Sequence, residues 1–173
     1  MPNLLPDYRF EKFSDITVEF LQLEGIKGLI LDIDNTLEPY EHAIPGERVK
    51  AWIAELASAG IRCAFVSNNS MERVAEFNAS LRLPSFYKAG KPFKKNIIKA
   101  MELIGSNKKN TLLLGDQIFT DVWAAKNAGI RSALVPPIKD KRDILTGFKR
   151  LLEKPILKKY DEKHKVSDKN EES

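Results

Sequence analysis

Gly28-Leu29-Ile30-Leu31-Asp32-Ile33-Asp34-Asn35-Thr36-Leu37 passes from four apolar residues directly into two carboxylates. So short a continuous apolar run predicts a strand buried on both faces, as in a parallel sheet. Asp32 and Asp34 then lie at the C-terminal end of that strand. Taken alone, the pair reads as turn chemistry, because Asp and Asn favour turns. The rest of the chain changes that reading.

Beyond Leu37 the pattern alternates. Pro45 opens a helical stretch with Val49, Trp52, Ile53, Leu56 and Ala57 on one face, and Gly60 closes it. Residues 61–66 form a second apolar run. Asn69 and Glu72 then resemble a capping pair for a helix carrying Val74 and Phe77. Phe86-Tyr87 is a candidate short third strand. Pro92 starts another helix, with Ile97, Ile98, Met101 and Leu103 apolar, which ends at Gly105. Residues 111–114 read as the fourth strand, 119–128 as a helix stopping at Gly129, and 132–135 as the fifth strand. Strands alternating with helices of this length predict βαβ units. The expected fold is a three-layer α/β/α, Rossmann-like domain around a parallel sheet of about five strands.

This sheet belongs to a domain expected over residues 26–157. Residues 1–25 carry Phe10, Phe13, Ile16, Phe20 and Leu21 and are expected to pack a short helix on the body. A last helix is expected near residues 144–152, ended by Pro155, and residues 158–173 read as a disordered polar tail. The chain has 173 residues, 43% hydrophobic and 30% charged, as in an ordinary globular protein. No apolar run approaches the roughly 20 residues that span a bilayer, and the N-terminus does not look like a secretory leader. The single Cys63 lies in an apolar run and fits a reducing cytoplasm. The net charge of +4 is concentrated: residues 139–159 hold eight Lys or Arg against three Asp or Glu. Such a segment suits an anionic membrane, RNA or an acidic partner, or simply a solvated helix face.

The polar groups fall at strand C-termini or helix N-termini. Asp32 and Asp34 follow the first strand, Ser67 and Asn68 the second, Lys91 precedes a helix, and Asp116 follows the fourth strand, with Asp121 just beyond. Right-handed crossovers bring these ends to one sheet edge, where open α/β sheets bind ligands. Carboxylates gathered there repel one another without a cation. A hard divalent ion with oxygen ligands answers that need, and magnesium is the usual partner of carboxylates and phosphate. Lys91 offers a point charge to a phosphoryl oxygen, and the Ser67 hydroxyl with nearby N–H groups offers another contact.

Together these residues resemble the haloacid dehalogenase (HAD) superfamily, whose members are mostly phosphatases. Asp32-Ile33-Asp34-Asn35-Thr36 is similar to its D-x-D-x-T signature, and Ser67 in Phe65-Val66-Ser67-Asn68-Asn69 to its second motif. Lys91 in Gly90-Lys91-Pro92 resembles the third, and Gly115-Asp116-Gln117-Ile118-Phe119-Thr120-Asp121 the acidic fourth. The details resemble the YqeG-like subgroup of class IIIA members. The resemblance implies Asp32 as nucleophile, forming an aspartyl-phosphate, and Asp34 as general acid and base. It implies magnesium held by Asp32, Asp116 and the Asp34 backbone carbonyl, with Asp121 in support. Thr36, Ser67, Asn68 and Lys91 would position the phosphoryl group or hold the nucleophile.

Spacing leaves no room for the cap domain that many family members insert. Residues 38–44 alone separate Leu37 from Pro45, and residues 68–90 are consumed by a helix and a strand. An uncapped site suits a bulky phosphorylated substrate, such as a lipid headgroup or a macromolecule, or closure by a partner subunit. Phosphatidylglycerophosphate, a substrate within this subgroup, is the specific expectation. Two other function classes share parts of this pattern. A receiver-type phosphoacceptor carries its aspartate after the third strand, where none stands here. A non-catalytic HAD-fold protein, binding RNA, protein or membrane through the basic segment, would lack the nucleophile that Asp32 supplies.

Overall fold

The computed structural model describes residues 3–139 and 144–171. Six strands form one parallel sheet: β1 (Tyr8–Arg9), β2 (Gly28–Leu31), β3 (Arg62–Val66), β4 (Ser85–Phe86), β5 (Thr111–Gly115) and β6 (Arg131–Leu134), in the order β1-β6-β5-β2-β3-β4. Helices α1 (Val18–Leu23), α2 (Glu47–Ser58), α3 (Met71–Asn78), α4 (Lys95–Leu103), α5 (Trp123–Ala128) and α6 (Ile144–Glu171) connect or flank the strands. The expected three-layer architecture is present, with one strand more than the sequence suggests. The addition is β1, which pairs Tyr8 with Ala133 and Arg9 with Leu134. Two residues are too few to carry a period, so nothing in the pattern announced it.

Alternation along the central strands explains the layers. Leu29, Leu31, Cys63, Phe65, Leu112 and Leu114 point into one apolar cluster, together with α2 and α3 residues such as Leu56 and Phe77. Ile30, Ala64, Val66 and Leu113 point into the other, with Ile97, Met101, Ala124 and Ala128 of α4 and α5. A strand buried on both faces has no polar positions to alternate, so its sequence reads as a continuous run. Fully burying one Leu or Phe side chain contributes about 1.5–3 kcal/mol, so these two layers dominate stability. The N-terminal segment joins the same core. Trp52 Nε1 donates to the Ile16 carbonyl at 2.9 Å, and the Phe13 ring meets Trp52 edge-on at 5.1 Å.

Local details shift several expected boundaries. Ser70, rather than Asn69, caps α3, its hydroxyl accepting from the Arg73 N–H at 3.3 Å. Asn69 is engaged elsewhere, as described below. The segment expected as one helix over 119–128 opens as a π turn, Ile118–Val122, and continues as α5. At the C-terminus α6 continues through Pro155, which does not end it, and residues 158–171 extend the helix instead of forming a polar tail. Proline removes one backbone hydrogen bond, but packing compensates. Ile156 and Leu157 pack with Leu4, Ile118 and Val122, and Asp161 pairs with Arg9 of β1 at 2.6 Å. Of the segments expected to be basic or tail-like, residues 140–143 and 172–173 lie outside the described residues.

β2 is the topological turning point. The chain runs outward from it through β3 to β4, then returns to its other side as β5. In such sheets the crevice outside the strand C-termini, at the reversal, is where ligands bind. Register sets the level: Leu31 lies beside Phe65 and Leu114, so the residues after all three strands emerge at one height.

Candidate active site

Asp32 leaves β2 with its N–H bonded to the Leu114 carbonyl at 3.0 Å, which holds it beside β5. Ile33 then starts a tight turn in which Asn35 takes a φ of 62°. Asn tolerates that left-handed backbone better than most residues. The turn brings Thr36 back under Asp32. The Thr36 hydroxyl lies 3.0 Å from Asp32 Oδ2 and 3.2 Å from Asp116 Oδ1, and so bridges the carboxylates at the ends of β2 and β5.

Lys91 reaches the same point from the far side. Its Nζ donates to Asp32 Oδ1 at 2.8 Å and to Asp121 Oδ1 at 2.6 Å, with all three side chains buried or nearly so. Its backbone is clasped by Asn68. The Lys91 N–H donates to Asn68 Oδ1 at 2.8 Å, and Asn68 Nδ2 donates to the Lys91 carbonyl at 3.0 Å. The Asn68 amide therefore serves the site by fixing where Lys91 stands. The Ser67 hydroxyl accepts from the Asn69 N–H at 3.1 Å, and its own proton is available to a ligand in the cleft.

Asp121 is held at both oxygens, by Lys91 and by the Gln117 N–H at 3.1 Å. It packs so closely on β5 that a Cβ on Gly115 would lie 2.1 Å from its Cγ. The carboxylate of Asp34 does not join the Asp32 group. It accepts from Asn69 Nδ2 at 2.8 Å and from Arg73 Nε at 3.0 Å. Arg73 is buried, with Nη1 donating to the His42 carbonyl at 2.6 Å.

One oxygen from each of Asp32, Asp116 and Asp121 lies within 4.8 Å of the others. The electrostatics show the strain of that grouping. Burial raises the Asp32 pKa above the usual carboxylate value; Lys91 opposes the rise and Asp121 adds to it. Burial, then Asp32 and Asp121, raise Asp116 well above its usual value, against the pull of Arg150. Burial alone would lower the pKa of Lys91, but Asp121 and Asp32 outweigh it and hold the ammonium charged. Hard oxygen donors, converging in a buried place where their charges are incompletely compensated, fit a divalent cation such as magnesium.

The cleft over these groups has a volume of about 380 Å³, and Asp32, Asp34, Ser67 and Lys91 line it. No domain is inserted between the motifs among the described residues, as the spacing implied, yet the edge is not bare. Thr146 and Lys149 of α6 line the cleft as well. From the same helix Arg150 donates through Nη2 to Asp116 Oδ2 at 2.7 Å and through Nη1 to the Asp116 carbonyl at 2.6 Å. Glu153, 4% exposed, accepts from the Ile118 N–H at 2.8 Å. Sequence reading missed these residues. The sole signal was an Arg and a Glu three apart among the leucines and lysines of 145–154, and nothing local says that this helix folds back onto β5.

Comparison with known proteins agrees with this arrangement. The family described as "Haloacid dehalogenase-like hydrolase" matches residues 15–135. A Bacillus subtilis (strain 168) protein described as "Probable phosphatase YqeG" is 35% identical over 153 residues, covering 88% of this chain and 89% of its own. Among solved structures, the cobalt-bound deoxy-D-mannose-octulosonate 8-phosphate phosphatase (YrbI) of Haemophilus influenzae superposes with a TM-score of 0.52 at 21% identity, covering 81% of this chain and 92% of that one. A thermostable NPPase from Geobacillus stearothermophilus gives 0.52 at 17% identity, over 69% and 94%. These last two share the fold. With the family match spanning most of the sheet and its four motif segments meeting at one edge, the chain belongs to the haloacid dehalogenase-like hydrolases.

Proposed function

We propose that this hydrolase is a magnesium-dependent phosphatase that cleaves a phosphomonoester through an aspartyl-phosphate on Asp32. The observation that carries the reading is Asp32 itself. It is 9% exposed, faces the cleft, and has both oxygens oriented by Lys91 and Thr36. An Asp32 oxygen attacks phosphorus as the bond to the leaving oxygen breaks, and Asp34, when protonated, gives that oxygen its proton. Asp34 then takes a proton from water, whose oxygen attacks phosphorus and frees Asp32. Asp34 lines the cleft with its carboxylate anchored by Asn69 and Arg73, which orient it for this transfer. Lys91 and the Ser67 hydroxyl hold the phosphoryl oxygens. Asp32, Asp116 and the Asp34 carbonyl would hold the cation, which supplies neutralisation of carboxylate and phosphoryl charge. Asp121, bonded at both oxygens, supports Lys91.

The substrate is bulky, with phosphatidylglycerophosphate as the specific candidate, docked at an anionic membrane. The support is the surface beside the cleft. There α6 exposes Leu145, Phe148, Leu151 and Leu152 alongside Lys154, with Lys149 half-buried at the cleft. Apolar side chains among lysines suit the interface of an anionic bilayer, where each nearby Lys or Arg contributes about 1 kcal/mol. No helix among the described residues is long and apolar enough to cross a membrane.

The test is a phosphatase panel containing this lipid in mixed micelles and small soluble phosphoesters, with and without magnesium. Wild type and Asp32→Asn are compared. Hydrolysis is expected only with the cation and only in wild type, with the lipid preferred. Full activity in Asp32→Asn removes the covalent mechanism, because an amide is not a nucleophile here. Preference for small esters removes the lipid assignment alone.

A further inference from the structure

We infer that Arg150 is a positioning residue for Asp116, and that α6 is thereby a structural part of the cation site. This rests on the proposal that Asp116 ligates the cation.

The two oxygens of Asp116 face different ways. Oδ1 lies 3.2 Å from the Thr36 hydroxyl, which also touches Asp32, so it is the oxygen aimed into the site. Oδ2 is taken by Arg150 Nη2 at 2.7 Å. The second arm of the guanidinium, Nη1, is bonded to the Asp116 carbonyl at 2.6 Å and to Glu153 Oε2 at 3.1 Å. Glu153 in turn receives the Ile118 N–H. One turn of α6 thus grips the backbone on both sides of Gln117 and fixes the Asp116 rotamer. The planar fork of arginine suits this double contact; a lysine ammonium offers one point of charge.

A rival reading makes Arg150 an internal cation that occupies the place of the divalent ion and must leave when it binds. The geometry disfavours this. Arg150 approaches the oxygen opposite Asp32 and Thr36, and leaving would break its bonds to Glu153 Oε2 and the Asp116 carbonyl. The two readings predict opposite signs. A group that orients a ligating side chain typically strengthens metal affinity 10–100-fold; a competitor weakens it.

The experiment titrates Mn²⁺, a paramagnetic stand-in for magnesium, into the full chain, reading free Mn²⁺ by electron paramagnetic resonance. Arg150→Gln is expected to bind roughly 10–100-fold more weakly than wild type, with Arg150→Lys between them. Thermal unfolding in chelator checks each variant, and Arg150→Lys carries the test if Arg150→Gln does not fold. Affinity in the variants equal to or tighter than wild type, while Asp116→Asn loses binding, overturns this inference alone. Undiminished Mn²⁺ binding in Asp116→Asn overturns the cation-site reading and this inference with it.

Discussion

Gly115→Ala puts a methyl group where the structure has no space. Its Cβ would lie 2.1 Å from Asp121 Cγ and 2.3 Å from Asp121 Cβ. Carbon atoms ordinarily sit about 3.5–4.0 Å apart, so the two must separate by about 1.5 Å. Rotating Asp121 does not suffice, because its Cβ is itself in the way; the π turn must shift. The Lys91–Asp121 contact of 2.6 Å then opens to about 4 Å, beyond hydrogen bonding. Overpacking costs about 1–3 kcal/mol and losing a charge-assisted hydrogen bond about 1.5–3, together roughly 2.5–6 kcal/mol. For a chain of this size the melting temperature should fall by roughly 5–24 °C. The assay is thermal unfolding by circular dichroism, with Gly147→Ala in α6 as control. There nothing lies within 4 Å of the new Cβ, so the expected change is within about 1 kcal/mol. A Gly115→Ala melting temperature within about 2 °C of wild type, or equal damage in both variants, refutes the reasoning.

Four further outcomes are expected. Asp32→Asn lowers kcat by roughly a thousandfold or more while the protein remains folded, as steady-state kinetics and circular dichroism would show. Lys91→Met leaves Asp32 and Asp121 buried without their cation and costs about 3–5 kcal/mol in urea unfolding; a loss under about 1 kcal/mol would contradict the described ion pairs. Asp116 has a raised folded-state pKa, so folding favours its protonated form. Its contribution is present below the ordinary carboxylate pKa and is lost as pH rises through the folded value. In chelator, Asp116→Asn should therefore gain stability relative to wild type as pH increases; a gap that narrows with pH would reverse the sign. Burial pushes the Cys63 thiol up to about 12, so at pH 8 a disulfide reagent should label it only as fast as the chain opens, and labelling within the mixing time would show it exposed.

The centre of the fold was legible in the sequence because β2, β3 and β5 are buried on both faces and must be written in apolar residues. The site was legible to the extent that it follows those strands. Asp32, Ser67 and Asp116 come to one edge by topology, and Lys91 meets Asp32 directly. What was hidden depends on contacts distant in sequence. β1 is two residues long and exists because β6 offers an edge. The helix persists past Pro155 because Ile156 and Leu157 have apolar neighbours from the other end of the chain. Asn69 resembled a helix cap, yet its side-chain amide turns to Asp34 and leaves the cap to the adjacent Ser70. The Arg73 pairing with Asp34 and the Arg150 grip on Asp116 join residues 39 and 34 positions apart. No local pattern encodes such pairs.

The Arg9–Asp161 pair and the β1–β6 ladder bear on the order in which the molecule is made. As the chain is synthesised, β1 has no partner until residues 131–134 follow it, and Asp116 lacks its guanidinium until α6 has emerged. A nascent chain that already contains all four motifs therefore still lacks the contact that orients Asp116. These contacts form late in synthesis, once α6 can reach both β1, through Asp161 and Arg9, and the end of β5, through Arg150 and Asp116.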